Sequence, residues 1–175
     1  MDLAAHCLED LIVQFGKARS LAEGAIAQAS DDDLFRQVDD ESNSIAIVMR
    51  HVAGNLKSRF TDFLTSDGEK PDRHRDAEFE IPAGTTREMV IADWNLGFSR
   101  LESALASLTP ADLVRDIRIR GEQMTVLAAL HRSLAHTSMH VGQIVMLAKH
   151  LRGSAWRTLS IPRGQSETFL GTRRF

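Results

Sequence analysis

The chain carries seven histidines in 175 residues, and three of them crowd into HRSLAHTSMHVGQIV, residues 131–145. Two of these, His136 and His140, are four apart in an apolar run of helical period. Residues spaced i and i+4 share one helix face about a turn apart, which lets both imidazoles reach a common cation. The pattern is not that of a zinc protease, whose HExxH helix places a glutamate base after the first histidine; here Thr137 stands there. The spacing alone is weak, because histidines four apart also occur in helices that hold no metal. The stripe adds to it: Arg132, His136, His140 and Gln143 fall together, flanked by apolar positions. Burying neutral histidines costs free energy unless the ring nitrogens find partners, and a shared cation supplies one.

A third ligand must come from elsewhere, and His51 in IVMRHVAGN is the best candidate, with Asn55 one turn further on. Three histidines leave coordination positions open for water or substrate, the pattern of a catalytic rather than a structural site. The single cysteine, Cys7, excludes an intramolecular disulfide and a thiolate cluster within one chain, and it reads as a small buried hydrophobe. His6, His131 and His150 lie off this stripe or near chain and helix ends, where solvated or locally hydrogen-bonded roles suffice. His74 is a candidate substrate contact, because its polar loop can cover the site.

Four long helical segments must position these residues. The first runs from Leu3 to Ala29 and stops near SDDD, where Ser30 and three aspartates suit the start of a short turn. The second begins at SNS (42–44), places Ile45, Met49, Val52, Leu56, Phe60 and Phe63 on one face, and ends at SDG (66–68). The third opens at TTRE (85–88), with the spacing of a capping box between Thr85 and Glu88, and continues to Leu108. The fourth spans Thr125 to Arg152 and stops at Gly153. Some eighteen mostly polar residues, DGEKPDRHRDAEFEIPAG, join the second segment to the third, a length that marks a functional or crossover connection. LVRDIRIRGEQMTV alternates around Gly121 and predicts a small hairpin before the fourth helix. Trp156, Leu159 and Ile161 predict that part of the irregular tail packs. The expectation is one all-α domain over 1–175, a four-helix bundle with one long connection.

A hydrophobic content of 43% and a formal net charge of −3 suit a globular protein and give no reason to expect a nucleic-acid surface. The short basic group RHR (73–75) reads as solvated. No apolar run approaches the roughly 18 residues of a membrane span, and no basic-then-apolar leader is visible at the N-terminus. The expected setting is cytoplasmic, without membrane or nucleic-acid partners.

His51 in the second helix, then His136 and His140 followed by HVGQI in the fourth, resembles the DinB/YfiT-like metalloenzyme superfamily. The blocks RHVAGNLKSRFTDFLTSDGEKPDRHRDAEFE, HTSMHVGQIVMLAKHLRG and LSIPRGQS resemble one bacterial subgroup with GEKP and SIPRG motifs. The resemblance implies a four-helix bundle in which the long connection between helices two and three gives an overhand topology. It implies a divalent ion, zinc or nickel, on His51, His136 and His140, and a homodimer. It also implies a reaction such as transfer of a low-molecular-weight thiol. One departure is the loop sequence KPDRHRD, where the resemblance places tryptophan and asparagine at Asp72 and His74.

A three-histidine divalent site lowers the pKa of a bound thiol or water. A thiol so activated attacks an electrophilic carbon on a small-molecule substrate, and a water so activated attacks a carbonyl. Both reactions need an anion-binding group and a proton carrier. Arg132, one turn before His136, is the candidate anion contact. Glu69 is the candidate proton carrier, with Asp76, Glu78 and Glu80 of the same loop as further carriers or partners of the ligands, against the plainer reading of a solvated charge run. Arg163 in SIPRGQS either folds over the pocket mouth or anchors the tail. A thiol transferase and a hydrolase of a small amide or ester are two readings of this set. The third is a non-catalytic helical bundle that binds metal or a small ligand, or simply dimerises.

Overall fold

The computed structural model describes residues 2–168. It is mostly helical, an all-α protein with one small β-hairpin. In chain order the elements are α1 (Leu3–Ile26), α2 (Asp31–Phe35), α3 (Ile45–Phe60), α4 (Arg87–Ser107), β1 (Asp116–Ile119), β2 (Glu122–Thr125) and α5 (Val126–Arg152). Short 3-10 turns lie at Asp76–Phe79, Pro110–Val114 and Gly153–Ala155.

Each helix start is set by a hydroxyl or carboxylate that takes up a backbone N–H left over in the first turn. Asp2 caps α1, Ser44 caps α3 and Thr125 caps α5. Ser30 and Asp33 form a reciprocal capping box on α2, the turn anticipated from the SDDD run. At α4 the cap is one residue later than the TTRE spacing predicts: Thr86 accepts from the Met89 N–H, while the Thr85 hydroxyl donates to the Pro82 carbonyl. The α5 stop falls on Gly153, whose φ of 51° is in the left-handed region open to glycine.

The second helical segment is shorter than its apolar periodicity suggests. It ends at Phe60, because both the N–H and the hydroxyl of Thr61 turn back to the Lys57 carbonyl and Asp62 adopts φ 49°. Phe63 therefore reaches the core from a turn rather than from a helix face. The first segment likewise ends early, at Ile26, and Arg87 donates to the carbonyls of Ile26 and Ala29.

α3 packs on α4 and α5, α1 packs on α5, and α2 and the turn at Asp76–Phe79 also lie against α3. The α3–α4 approach is close enough that a Cβ on Gly97 would sit 2.8 Å from the Cα of Ala53. So enclosed, α3 is buried nearly all round rather than along the single stripe its sequence predicts. Its polar residues His51, Asn55, Ser58 and Arg59 are carried inside with the rest. A buried polar group without a partner is costly, so the chain around α3 must supply partners.

The hairpin is antiparallel, with Ile119 opposite Glu122 and a two-residue turn of Arg120 and Gly121, both at positive φ. The Asp67 carboxylate accepts from the N–H groups of both turn residues, at 2.8 and 2.7 Å, which ties the long connection to the hairpin tip.

Candidate metal centre

α5 delivers His136 and His140 one turn apart, and α3 delivers His51 from the helix packed against it. The His136 Nε2 lies 3.2 Å from the Nε2 of His51 and 3.2 Å from that of His140. One ligand nitrogen from each of the three lies within 4.8 Å of the others, so the cluster could hold a metal ion. Nitrogens bound at about 2.1 Å to one ion stand about 3.0 Å apart at right angles and about 3.4 Å apart in a tetrahedron, the range in which the two 3.2 Å spacings from His136 fall.

The chemistry of the donors fits the same role. The outer nitrogen of His51, Nδ1, lies 2.9 Å from Glu78 Oε2, and that of His140 lies 2.7 Å from Gln143 Oε1. Both partners are acceptors, so each Nδ1 carries the proton and each Nε2 presents a lone pair inward. Nδ1 of His136 is buried with no partner among the described residues. With its proton on Nδ1, His136 adds a third inward lone pair, and three converging lone pairs repel one another unless a cation lies between them. Burial, and then the charges of His140 and His51, hold His136 down to about 4, and burial also lowers His140 despite its bond to Gln143. At neutral pH the His136 imidazole is therefore uncharged.

The loop acids divide sharply. Glu78, buried, accepts from Arg73 through Nε and Nη2 at 2.8 and 2.9 Å while also accepting from His51. Burial pushes its carboxyl upward, but the bonds from His51 and Arg73 and the Arg73 charge bring the net below the ordinary value. Gly54 makes room for it, since a Cβ there would overlap the Glu78 carboxylate. Glu69 accepts from Arg59, Arg73 and Arg120. Burial raises its carboxyl as well, yet the bonds from Arg120 and Arg59 and the charges of Arg59 and Arg73 bring it to about 2. A carboxylate held that low carries almost no proton at neutral pH, and its position braces three guanidiniums rather than meeting the histidines. Asp76 and Glu80 are exposed, as a solvated charge run would be.

A cavity of about 210 Å³ opens on His51 and His136. Asn55, Ser133 and Arg132 line it with them, which places the expected anion contact beside the cluster. Arg59, Arg73, Arg75 and Arg120 line it too, and the sequence reading passed over all four. Two of them had a visible signal, because His51, Asn55 and Arg59 repeat every four residues and Arg120 sits in the predicted hairpin turn. Arg73 had none: the RHR group read as solvated, yet this side chain is 5% exposed. His74 and Asp72 line a different cavity, of about 470 Å³, with Arg50, Lys57 and Asp93. Arg163 is exposed and lines neither cavity, and His6, His131 and His150 are also exposed. Cys7 is half-buried against the core.

No curated protein and no solved structure matches the chain. A family model does, over residues 2–165, and it is described as a protein of unknown function, DUF1572, in general terms a DinB-like family. That match spans all seven elements of the fold and all three clustered histidines, and the chain belongs to this DinB-like family.

Proposed function

We propose that the protein is a divalent-metal-dependent enzyme whose ion is held by His51, His136 and His140. The observation that carries this reading is the convergence of three Nε2 atoms at the edge of a cavity, two of them with the opposite nitrogen fixed by Glu78 and Gln143. In this reading the four long helices are a bundle of the DinB/YfiT type, and the GEKP and SIPRG motifs support membership of one subgroup of it. Zinc or nickel suits three imidazoles, and the bound ion would supply a Lewis acid that lowers the pKa of a thiol or water. The chain's own residues fix the ligand tautomers, line the approach with Phe60 and Phe63, and present Arg132 to a charged group on a small substrate. Glu69 in this reading aligns Arg59, Arg73 and Arg120 and transfers no proton.

The reaction is transfer of a low-molecular-weight thiol to an electrophile, or hydrolysis of a small ester or amide, carried out by a cytoplasmic homodimer. Among the described residues no helix is long and apolar enough to cross a membrane. Metal content of the purified protein, set beside a folded His136→Ala/His140→Ala variant, tests the centre: about one equivalent in the wild type and little in the variant is expected. Conjugation of a thiol to monochlorobimane by the zinc- or nickel-loaded protein, and turnover of an ester and amide panel without thiol, separate the two reactions. Metal bound with silence in both assays would leave a non-catalytic binding bundle.

A further inference from the structure

Five arginines line the cavity beside the histidines, and no described aspartate or glutamate lines it. Two carboxylates serve three of the five: Glu69 takes Arg59, Arg73 and Arg120, and Glu78 takes Arg73 again. The remaining partners are weak. Arg75 faces Asp76 at 3.5 Å and Arg132 faces Glu122 at 3.8 Å, and those carboxylates are 99% and 72% exposed. Exposed pairs of this kind contribute little and do not neutralise a cavity wall. Five guanidiniums against two enclosed carboxylates leave a surplus of positive charge in a space from which protein has excluded much of the water.

The donors point the same way. Arg120 spends only Nε on Glu69, and Arg132 makes no hydrogen bond among the described residues. Their planar forks are therefore available for an oxyanion. Ser133, 7% exposed and lining the same cavity, has a buried hydroxyl with no partner among the described residues. A hydroxyl left so inside a protein is a donor awaiting an acceptor. The apolar part of the lining comes from Phe60, Phe63, Ile119 and Ala129.

We propose that this cavity binds a small ligand with an oxyanion head, a carboxylate or a phosphate, on Arg120, Arg132 and Ser133, and an apolar body against Phe60 and Phe63. The inference deepens the proposed metal centre by naming the substrate class, and it rests on that reading only for the reacting end of the ligand. Calorimetric titration of 3-phenylpropionate, phenyl phosphate and the neutral 3-phenylpropionamide tests it. Each is run on zinc-loaded and on chelator-treated protein, and on the Arg132→Gln and Arg120→Gln variants. At least one anion should bind about tenfold more tightly than the amide with or without zinc, and each variant should erase most of that preference. Both arginines are half-exposed, so neither variant threatens the fold. The tighter of the two anions identifies the head. Equal binding of anions and amide overturns the proposal. So does an anion preference that appears only with zinc and survives both arginine changes, because the metal alone would then hold the head. An arginine-dependent preference in protein that takes up no zinc would keep this inference and remove the metal centre instead.

Discussion

The connection 61–86 and the tail from Gly153 to Thr168 are both irregular, polar and proline-bearing, yet they are held to the helices in opposite ways. The connection is held by charge and hydrogen bonds. Ser58 and Arg59 of α3 both donate to the Gly68 carbonyl, the Lys70 N–H donates to Ser58, and Glu69 and Glu78 gather arginines from three elements. The tail is held mainly by apolar contact. Trp156 and Leu159 pack partly on the core, Leu159 over Gly24, and the Gln28 amide brackets the Arg157 backbone from both sides. Ile161, expected to pack with them, is exposed. The difference follows from what each covers. The connection lies against a helix that buries four polar side chains and must answer them, whereas the tail lies against α1, whose inward face is apolar.

The sharpest way to break this comparison is to remove the charge at its centre. Arg73→Ala takes both guanidinium bonds from buried Glu78, leaving it the His51 bond alone among the described residues, and one of three arginines from Glu69. It should cost about 3–5 kcal/mol in denaturant unfolding, with metal uptake weakened because the carboxylate that orients His51 is no longer held. A loss no greater than that of a surface arginine would show the connection to be held some other way. Next in size, Gly54→Ala drives a methyl into the Glu78 carboxylate and should destabilise by about 1–3 kcal/mol, read in the same experiment. Leu159→Ala in the tail should cost only about 1 kcal/mol, because the side chain is half-buried, and should leave metal uptake unchanged. If it cost as much as Arg73→Ala, the contrast between the two segments would be lost.

A further effect is a dependence on pH. The folded-state carboxyl of Glu69 lies at about 2, below its ordinary 4.5. Its contribution is therefore complete above about 4.5 and fades as the pH falls towards 2, when the folded form must also take up the proton. Glu69→Gln should be less stable than the wild type at pH 7 and converge with it in acid. A constant gap across the range would mean that the carboxylate contributes by shape rather than by charge.

Much of the helical framework was legible in the sequence, because local signals set it. Ser30, Ser44, Thr125 and Gly153 stand at helix ends where their side chains or backbone preferences place them, and Gly121 marked the hairpin. The early end of α3 at Phe60 was not legible, since apolar spacing continues through Phe63 while the backbone leaves the helix at Thr61 and Asp62. The three clustered histidines were legible for a related reason. His136 and His140 share a helix face, and His51 lies in the other helix with a buried mid-segment.

The sequence by itself determined which residues were able to bind a cation and which helices carry them, because periodicity and capping act within a few residues of chain. Only the tertiary structure decided that Glu78, out of the four candidate loop acids, backs His51, that Glu69 is bound up by three arginines, and that RHR contributes one buried guanidinium and one half-exposed one. Pairing between charges depends on burial and on distances between segments tens of residues apart, and neither is written in local spacing.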